Sequence, residues 1–430
     1  MPTSLEIRPD PTSSRDSVPA LPHVPADRRS PPILSIEADR PIVVLKFSGM
    51  GTLLGVVPLL EGLRKQAPSA DLVLVTDRHN APLASRLLGL KTVLYREKTE
   101  NALDFLAGVL ALGHRIRAQS PGLFVDLQSR TFRRTARMLA LASGAPVRLG
   151  FVGPHEPGRI GRPTHPVYRN PHLPLHVAME QVAKALGIAS LDGPGRMPPI
   201  LTPTTTEREE LLLAGLPPTD SSPILAINPH ASDRGLERRW SARRFAEVAA
   251  RLLRTRPSLR IVLTGLPGER PYTEEIASLV RSFASPGFPL RRARLVNAAG
   301  RLSLGGLIVL LDRAEALLTN DSGPLHLALC LRTPTVAIFG PTRPDLVLPA
   351  GPHPLHVLYG ARDCSPCLYE VSPLPCGGTI PCLEEIESDR VFRAVDALLD
   401  QSSPSPPAPL IPIGRGGRSK EARRSPFSPP

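Results

Sequence analysis

Short apolar runs that alternate with amphipathic stretches constrain the fold of this 430-residue chain more than any other feature. Residues 42–47 form one such run near the start, and residues 224–228 form another in the second half. Continuously apolar runs are typical of parallel strands buried on both faces, and amphipathic stretches are typical of the helices that cover them. The alternation therefore predicts an α/β fold with two consecutive parallel sheets wrapped by helices.

The predicted elements form two groups, separated by a loop rich in Pro, Gly and Thr that ends near residue 223. In the first group we predict strands at 42–47, 72–75, 92–95 and 123–127, and helices at 53–66, 81–88, 102–118, 132–141 and 177–186. In the second group we predict strands at 224–228, 260–264, 316–319 and 335–339, and helices at 242–253, 273–283, 304–312 and 324–331. A Pro- and His-rich stretch at 153–174 is predicted to be irregular. The groups correspond to two Rossmann-like domains, at 39–205 and 206–400.

Both ends of the chain, residues 1–38 and 401–430, are predicted to be disordered tails. Of the 52 prolines, eight lie in the first 32 positions and eight in the last 30, and neither end has an apolar periodicity. The second tail is basic, with five Lys or Arg residues against one acidic residue. The sequence contains no run of 18 apolar residues and no uninterrupted apolar segment at its N-terminus. We therefore expect a cytoplasmic protein rather than a secreted or membrane-spanning one.

The formal net charge of +13 favours anionic partners. Nucleotides, phosphorylated lipids, membrane surfaces and nucleic acids all meet that description. Proteins that bind single-stranded nucleic acid usually place aromatic stacking platforms beside their basic groove, and only 4% of this chain is aromatic. We therefore expect no nucleic-acid partner.

The strongest candidate site is the segment 319–326, Thr-Asn-Asp-Ser-Gly-Pro-Leu-His, which lies where a predicted strand leads into a helix. The backbone N–H groups of Ser322 and Gly323 would form an anion site at the start of the helix. Asp321 could accept hydrogen bonds from sugar or ribose hydroxyls, and His326 lies one turn into the helix. The alternative is a structural one, in which Asp or Ser caps the helix.

A second candidate site follows the strand at 224–228. It contains Asn228, His230 and Ser232, and four further residues come soon after it in the sequence: Arg234, Arg238, Arg239 and Trp240. Small residues after a strand let the backbone approach a pyrophosphate, and guanidinium groups can neutralise it. The alternative is an exposed basic loop anchored in the core by Trp240. No Gly-x-Gly-x-x-Gly follows the first strand, which argues against a dinucleotide oxidoreductase.

Taken in order, several segments resemble glycosyltransferase family 9, the heptosyltransferases of lipopolysaccharide core synthesis. The resemblance covers about residues 41–399. The matching segments, most of them at strand ends, are 44–51, 125–128, 148–151, 228–232, 238–240, 297–300, 302–304, 320–326 and 339–342.

The resemblance implies a GT-B fold, in which two Rossmann-like domains face each other across a crevice. The acceptor would bind to the N-terminal domain and the nucleotide-sugar to the C-terminal one, with inversion at the anomeric centre and no metal required for the chemistry. The donor would be a nucleoside diphosphate-sugar, ADP-heptose by default. The acceptor would be a lipopolysaccharide-type or other anionic glycolipid, reached from the inner face of the cytoplasmic membrane by a peripherally bound enzyme.

The same resemblance assigns residue roles. It implies a donor site made of Asn228, His230, Ser232, Arg238, Asp321, Ser322, Gly323, His326 and Thr342. It also implies an acceptor loop made of Ser48, Gly49 and Gly51. Arg238 stands where the family usually has a phosphate-pairing Lys; it keeps the charge and adds a planar fork of donors.

The sequence departs from the family pattern at Thr52. The family has an Asp there, which acts as general base on the acceptor hydroxyl, whereas a threonine hydroxyl is not basic at neutral pH. Asp126, at the end of a predicted strand in the same domain, is the candidate replacement; its alternative role is a structural cap. If no base replaces it, the chain is a catalytically impaired GT-B nucleotide-sugar-binding protein. A GT-B-fold sugar-nucleotide epimerase is a further alternative.

Four cysteines cluster near the C-terminus with the spacing C-x2-C-x8-C-x5-C: Cys364, Cys367, Cys376 and Cys382. In a reducing compartment such a cluster favours a bound metal over disulfides, although the spacing is not that of a standard zinc ribbon. Structural zinc and free or redox-active thiols are both compatible with the sequence.

Overall fold

The computed structural model describes residues 39–47, 49–87, 90, 92–97, 101–128, 133–153, 161–170, 172–191, 204–217, 221–231, 235–283, 292–349 and 353–401. The predicted N-terminal tail, all but the first residue of the predicted C-terminal tail, and the candidate residues Ser48, Ser232 and Arg234 lie outside the described residues.

The first half of the chain forms a parallel sheet within the described residues. Its strands are β1 (Ile42–Leu45), β2 (Leu72–Asp77), β3 (Thr92–Arg96), β4 (Leu123–Asp126), β5 (Val147–Val152) and β6 (His165–Tyr168). The strand order is β3-β2-β1-β4-β5-β6. The helices of this half are α1 (Met50–Leu54), α2 (Val57–Gln66), α3 (Ala81–Ala84), α4 (Ala102–Arg117), α5 (Arg133–Ala142) and α6 (Leu175–Ala185).

The second half repeats the architecture. Its strands are β7 (Ile224–Asn228), β8 (Arg260–Leu263), β9 (Leu295–Asn297), β10 (Ala316–Asn320), β11 (Thr335–Phe339) and β12 (Leu355–Tyr359), in the order β12-β11-β10-β7-β8-β9 and all parallel. The helices are α7 (Thr205–Leu213), α8 (Ala242–Thr255), α9 (Arg270–Phe283), α10 (Leu304–Arg313), α11 (Gly323–Leu331), α12 (Pro344–Val347), α13 (Pro381–Glu384) and α14 (Ser388–Gln401). The predicted pair of parallel sheets wrapped by helices is confirmed.

The two sheets have the same strand order when each is numbered from its own first strand. In both, the order reverses between the first and fourth strands, which are β1 and β4 in one sheet and β7 and β10 in the other. Ligands of open α/β sheets bind at the carboxyl ends of the strands beside such a reversal. The strand-end segments singled out in the sequence, 125–128, 228–232 and 320–326, follow three of these four strands.

The central strands are covered on both faces, as their composition requires. All residues of β1, β2, β7, β10 and β11 are buried. Helix α8 shows how the covering works, because its apolar positions turn inward and its arginines stay at the surface: Phe245, Val248 and Leu252 are buried. Burying such side chains contributes about 1.5–3 kcal/mol each.

The predicted helix at 53–66 is wrong in one respect, because the structure divides it into α1 and α2. Pro58 lies in the first turn of α2, where its missing N–H costs nothing. In a continuous helix the same proline would lose a hydrogen bond to Leu54 and its ring would clash there. The predicted helix at 81–88 is also shorter in the structure and ends at Ala84.

Several elements were not predicted. Strand β6 lies inside the stretch expected to be irregular; it is an edge strand, where Pro166 is tolerated because it removes no ladder hydrogen bond that the sheet needs. Strands β5, β9 and β12 are short or only partly buried, so their apolar signal is weak. Helices α7 and α14 also escaped prediction.

The predicted boundary at 205/206 falls at the start of α7, which packs on α10 of the second half, and it stays a prediction.

The two halves meet through α1 and α11. A Cβ added to Gly323 would lie 3.5 Å from the Met50 side chain, so the start of α11 packs against α1. Helix α1 follows β1 and α11 follows β10, and both therefore begin at the carboxyl edges of their sheets. Their contact places these two edges opposite each other across a crevice.

None of the helices in the described parts of the chain combines the length and apolar character needed to cross a bilayer.

Candidate active site

Asn320, the last residue of β10, connects the two candidate donor segments. Its side chain is fully buried. The amide oxygen accepts a hydrogen bond from the Trp240 backbone N–H at 3.1 Å, and the amide nitrogen donates to the Pro229 carbonyl at 2.8 Å. Trp240 is buried too, as the core-anchor interpretation expected. A buried amide that hydrogen-bonds to two other segments fixes the relative positions of all three, because each unpaired group would carry a desolvation penalty.

Asp321 is the centre of the donor-side cluster. Thr342 Oγ1 donates to Asp321 Oδ2 at 2.8 Å. Arg238 Nη1 donates to the Asp321 carbonyl oxygen at 2.8 Å and lies 3.3 Å from Oδ2 of the same residue. All three residues were candidates from the sequence, and the structure brings them together from three separate loops.

The structural alternative for this segment, a side-chain helix cap, is wrong. Ser322 is the N-cap residue of α11, but its side chain makes no capping hydrogen bond. Instead Ser322 Oγ lies 2.9 Å from Thr319 Oγ1 and donates to Asn228 Oδ1 at 3.3 Å. The helix therefore begins without a side-chain acceptor at its positive end, which is the usual state of an anion-binding helix start.

His326 lies beside this cluster, one turn into α11. Burial lowers the pKa of His326 below its ordinary value; the nearby Asp321 carboxylate opposes that shift and the Arg238 guanidinium adds to it. The lowered pKa favours the neutral imidazole, which can accept as well as donate a hydrogen bond. A Cβ added to Gly51 would lie 2.6 Å from His326 Nε2, so the imidazole reaches across the crevice to the candidate acceptor loop.

His230 is buried but its ring is held by another part of the domain. Its Nε2 lies 3.2 Å from the Glu269 carbonyl oxygen, its Nδ1 lies 3.5 Å from the Glu269 carboxylate, and Tyr272 packs edge-on at 4.8 Å. The His230 carbonyl, in contrast, lies within 3.5 Å of the Asn320 amide nitrogen. His230 thus supports the loop beside the donor cluster rather than joining Arg238 and Thr342 on Asp321.

In the first half, Thr52 has a local role. Its Oγ1 donates to the Gly49 carbonyl oxygen at 2.8 Å, which stabilises the first turn of α1. This turn lies at the crevice, because Gly51, the residue before Thr52, contacts His326. At the position where the resemblance places the family base, this chain supplies only a hydroxyl, and the catalytic role of that position stays a prediction.

Asp126 ends β4 at the same edge of the sheet. Burial raises the pKa of Asp126 to about 6; a hydrogen bond from the Gln128 N–H and the nearby positive charges of Lys46, Arg133 and Arg137 oppose this shift. The Gln128 N–H donates to Asp126 Oδ1 at 2.8 Å. That bond is the local one expected of a structural cap, and it engages one of the two carboxylate oxygens. A carboxyl with a pKa near 6 suits general base chemistry near neutral pH.

The residues around Asp126 include one that the sequence analysis missed. Lys46 is buried directly after β1, where its Nζ donates to the Leu127 carbonyl at 2.9 Å. Burial lowers the pKa of Lys46 to about 8; the positive charge of Arg169 lowers it too, and Asp126 raises it. A lysine inside an otherwise apolar strand run was the available signal. Arg133 and Arg137, four positions apart on α5, could have been found as a basic stripe following a strand end.

The four clustered cysteines are close enough to influence each other. Burial raises the pKa of Cys367 and Cys382, whose neighbouring thiols add to the shift. For Cys376 burial acts in the same direction, but backbone N–H donors outweigh it and the pKa lies below its ordinary value. Among the residues that the structure describes, no group of three or more His, Cys, Asp or Glu side chains is arranged to hold a metal ion. The geometry therefore gives no support to the zinc hypothesis.

Two parallel sheets with the same strand order, facing each other at their carboxyl edges, form the GT-B fold that the sequence predicted. Solved structures share it. A glycosyl transferase family 9 protein from Veillonella parvula matches with a TM-score of 0.65 and 23% identity, covering 85% of this chain and 99% of that one. The E. coli heptosyltransferase WaaC with ADP-2-deoxy-2-fluoro heptose matches with a TM-score of 0.55 and 19% identity, covering 83% of this chain and 99% of that one.

The family follows from the sequence comparison. The model of Glycosyltransferase family 9 (heptosyltransferase) matches residues 109–377, more than half of the chain, and the protein belongs to this family. Lipooligosaccharide heptosyltransferase 2 of Campylobacter jejuni is 28% identical over 180 residues, which cover 42% of this chain and 52% of that protein. The chain thus spans about half the length of this curated relative. Family membership does not favour the epimerase or the non-catalytic alternative.

Proposed function

We propose that this protein is an inverting heptosyltransferase, which transfers heptose from ADP-heptose to a lipopolysaccharide-type glycolipid. The observation that carries the proposal is the cluster of Arg238, Asp321 and Thr342 at the uncapped start of α11, directly opposite the acceptor loop. Family 9 membership supports the reaction class. The similar E. coli enzyme, whose structure contains an ADP-heptose analogue, supports the choice of donor.

On the donor side, the chain supplies positive charge where the leaving group needs it. As the bond from the anomeric carbon to the diphosphate breaks, its electron pair stays on ADP and negative charge grows on the phosphate. The positive end of α11 and the Arg238 guanidinium can stabilise that charge. The Asp321 carboxylate accepts hydrogen bonds and is positioned by Thr342, so it can orient donor hydroxyls.

On the acceptor side, we assign the general base to Asp126. The ionised carboxylate would take the proton of the acceptor hydroxyl while that oxygen attacks the anomeric carbon from the face opposite the diphosphate. The raised pKa of Asp126, about 6, makes it a stronger base than an exposed carboxylate and still leaves it ionised at pH 7. Lys46, Arg133 and Arg137 surround it with positive charge that suits an anionic acceptor.

The choice of donor is tested with the Asp321→Ala variant. We expect ADP to raise the melting temperature of the parent protein more than UDP does, because a ligand stabilises the state it binds. Asp321→Ala should weaken binding of ADP-heptose roughly ten- to hundredfold, since one acceptor for donor hydroxyls is lost. Arg238 keeps its hydrogen bond to the main-chain carbonyl of residue 321, so the loop stays anchored.

Calorimetric titration beside a melting curve measures both effects. The matched control is Asp312→Ala, which removes an exposed carboxylate near the end of α10 and should bind the donor as the parent does. Unchanged donor affinity in Asp321→Ala would refute the donor site. Product analysis separates a transferase from an epimerase. A transferase leaves the sugar nucleotide unchanged when the donor is present alone, and it forms a glycosylated product only when acceptor is added.

We propose further that the chemistry requires no metal, as the family resemblance implies, and that any zinc in the cysteine cluster would be structural. Structural zinc would require about one metal per chain in the purified protein. Cys364→Ser would then lower metal content and melting temperature together, because metal binding contributes to folding free energy. Metal analysis of purified protein gives the answer, and metal-free protein with full stability would end the zinc hypothesis.

A further inference from the structure

Six large apolar side chains are exposed on two neighbouring helices of the first half; Phe105 is the least exposed of them, and the other five are considered together. On α4, Leu103 is 81% exposed, Leu110 is 62% exposed and Leu106 is 47% exposed. On α5, Met138 is 49% exposed and Leu141 is 43% exposed. We refer to these five residues as the α4–α5 surface. Single exposed leucines are ordinary, but a contiguous group on a folded domain marks an interaction site.

The five side chains lie on one side of the helix pair. Leu103, Leu106 and Leu110 are spaced by three and four positions, so they share one face of α4. A different face of α4, turned toward the core, holds the buried residues Val109, Leu112 and Ile116. Helix α5 packs directly against α4, and a Cβ added to Gly113 would lie 3.0 Å from Ala142 Cβ. The exposed rows of the two helices therefore flank a common seam.

The charges around this surface are almost all positive. Helices α4 and α5 together carry five arginines, Arg115, Arg117, Arg133, Arg134 and Arg137, against the single acid Asp104. Arg134 is exposed at the first turn of α5, and Arg115 and Arg117 are exposed in the last turn of α4. The apolar residues thus lie between arginines at the two ends of the helix pair. An apolar centre with basic flanks is the composition of a segment that binds anionic lipid.

The location of the surface agrees with this partner. Helices α4 and α5 connect β3 to β4 and β4 to β5, so both begin at the carboxyl edge of the first sheet. Arg133 and Arg137 of α5 lie close to Asp126 at that edge. A second copy of the chain fits less well, because a two-fold contact would bring the same arginines of two molecules toward each other.

We propose that the α4–α5 surface docks this protein onto an anionic lipid bilayer. The leucines and Met138 would enter the boundary between headgroups and acyl chains, and the arginines would contact lipid phosphates. The proposal rests on the proposed function in one respect: docking there would bring a lipid-anchored acceptor to the edge that carries Asp126. Binding to the bilayer itself requires no acceptor and no donor.

The test is co-sedimentation of the full chain with vesicles that contain no glycolipid. We expect binding to phosphatidylglycerol-containing vesicles at least about tenfold tighter than binding to phosphatidylcholine vesicles, and weaker binding at high salt. The double variant Leu106→Glu/Leu110→Glu should lose at least about tenfold in affinity for the anionic vesicles. The matched control, Leu212→Glu/Leu213→Glu, changes two exposed leucines at the end of α7 and should bind as the parent does.

Three results would overturn the proposal: parent protein that ignores anionic vesicles, a control that loses as much binding as the α4–α5 variant, or a parent dimer that the α4–α5 variant converts to monomer. Melting curves confirm that each variant is folded. Transfer to a delipidated, soluble acceptor separates the two hypotheses, because the α4–α5 variant should keep that activity. The parent, the control and the variant could all fail to transfer sugar while only the α4–α5 variant loses vesicle binding. That result would refute the proposed reaction and support the docking surface.

Discussion

Asp126→Asn should lower kcat by roughly 10²–10⁴ and leave donor affinity unchanged, because an amide cannot accept the acceptor proton. The parent should show an acid limb in its pH–rate profile near pH 6, since burial raises the pKa of Asp126 to about 6. The rate should fall as the pH drops through that value, because the carboxylate becomes protonated and stops acting as a base. In the variant this limb should disappear.

Thr52→Val is the companion variant. It removes only the hydrogen bond to the Gly49 carbonyl, a loss of about 1 kcal/mol in the free energy of unfolding, and should keep nearly all transfer activity. The pair of variants separates the two candidate residues directly. Full activity of Asp126→Asn would contradict the assignment of Asp126 as the general base. A loss of roughly 10²–10⁴ in kcat for Thr52→Val would contradict it too.

Gly51→Ala should lower kcat/KM for transfer by about a hundredfold. The new methyl group would lie within 2.7 Å of the His326 ring atoms Cγ and Nε2, closer than packed carbon atoms come. Either the crevice widens or the imidazole turns away, and a displacement of about 1 Å between reacting groups can cost that much. ADP affinity should stay near the parent value, because the hydrogen bonds that join Arg238, Asp321 and Thr342 do not involve His326.

Gly49→Ala is the matched control in the same turn. No atom lies within 4 Å of an added Cβ at Gly49, and its φ of −74° suits any residue. We expect parent-like transfer and parent-like stability from it. Steady-state transfer assays and calorimetric titration of ADP compare the two variants. Equal activity of Gly51→Ala and Gly49→Ala would show that contact between the acceptor loop and His326 is unimportant for the reaction.

The fold could be predicted from the sequence because its central strands are uniformly apolar. β1, β7, β10 and β11 each carry a continuous signal, and helices follow them at short intervals. The predictions failed where that signal weakens. Edge strands such as β6 and β12 are half exposed and contain His or Pro, and the short α7 follows a Pro- and Thr-rich loop.

The candidate site divides in the same way. Residues adjacent in sequence, such as Asp321 and His326, were predictable as one segment because a strand end and a helix start are local features. The pairing of Asp321 with Arg238 and Thr342 depends on which loops the sheet order brings together, which no local pattern contains. Lys46 escaped for the opposite reason. It lies within an apolar run, and its four-carbon stem is compatible with burial there. The role of its charge depends on Arg169 and Asp126, which are distant in sequence.

The hydrogen bonds around Asp321 have a thermodynamic consequence for the donor half. Arg238 and Asp321 are 83 positions apart in sequence, yet they are already joined, and Asn320 is already tied to two further segments. Folding of the second half therefore sets the dipoles and charges in place before a sugar nucleotide arrives. In the proposed reaction, polar groups that are fixed in advance need little reorientation as charge moves onto the departing diphosphate. The reorientation of dipoles that water would have to undergo in such a reaction is thus replaced, at these groups, by an arrangement made when the polypeptide folds.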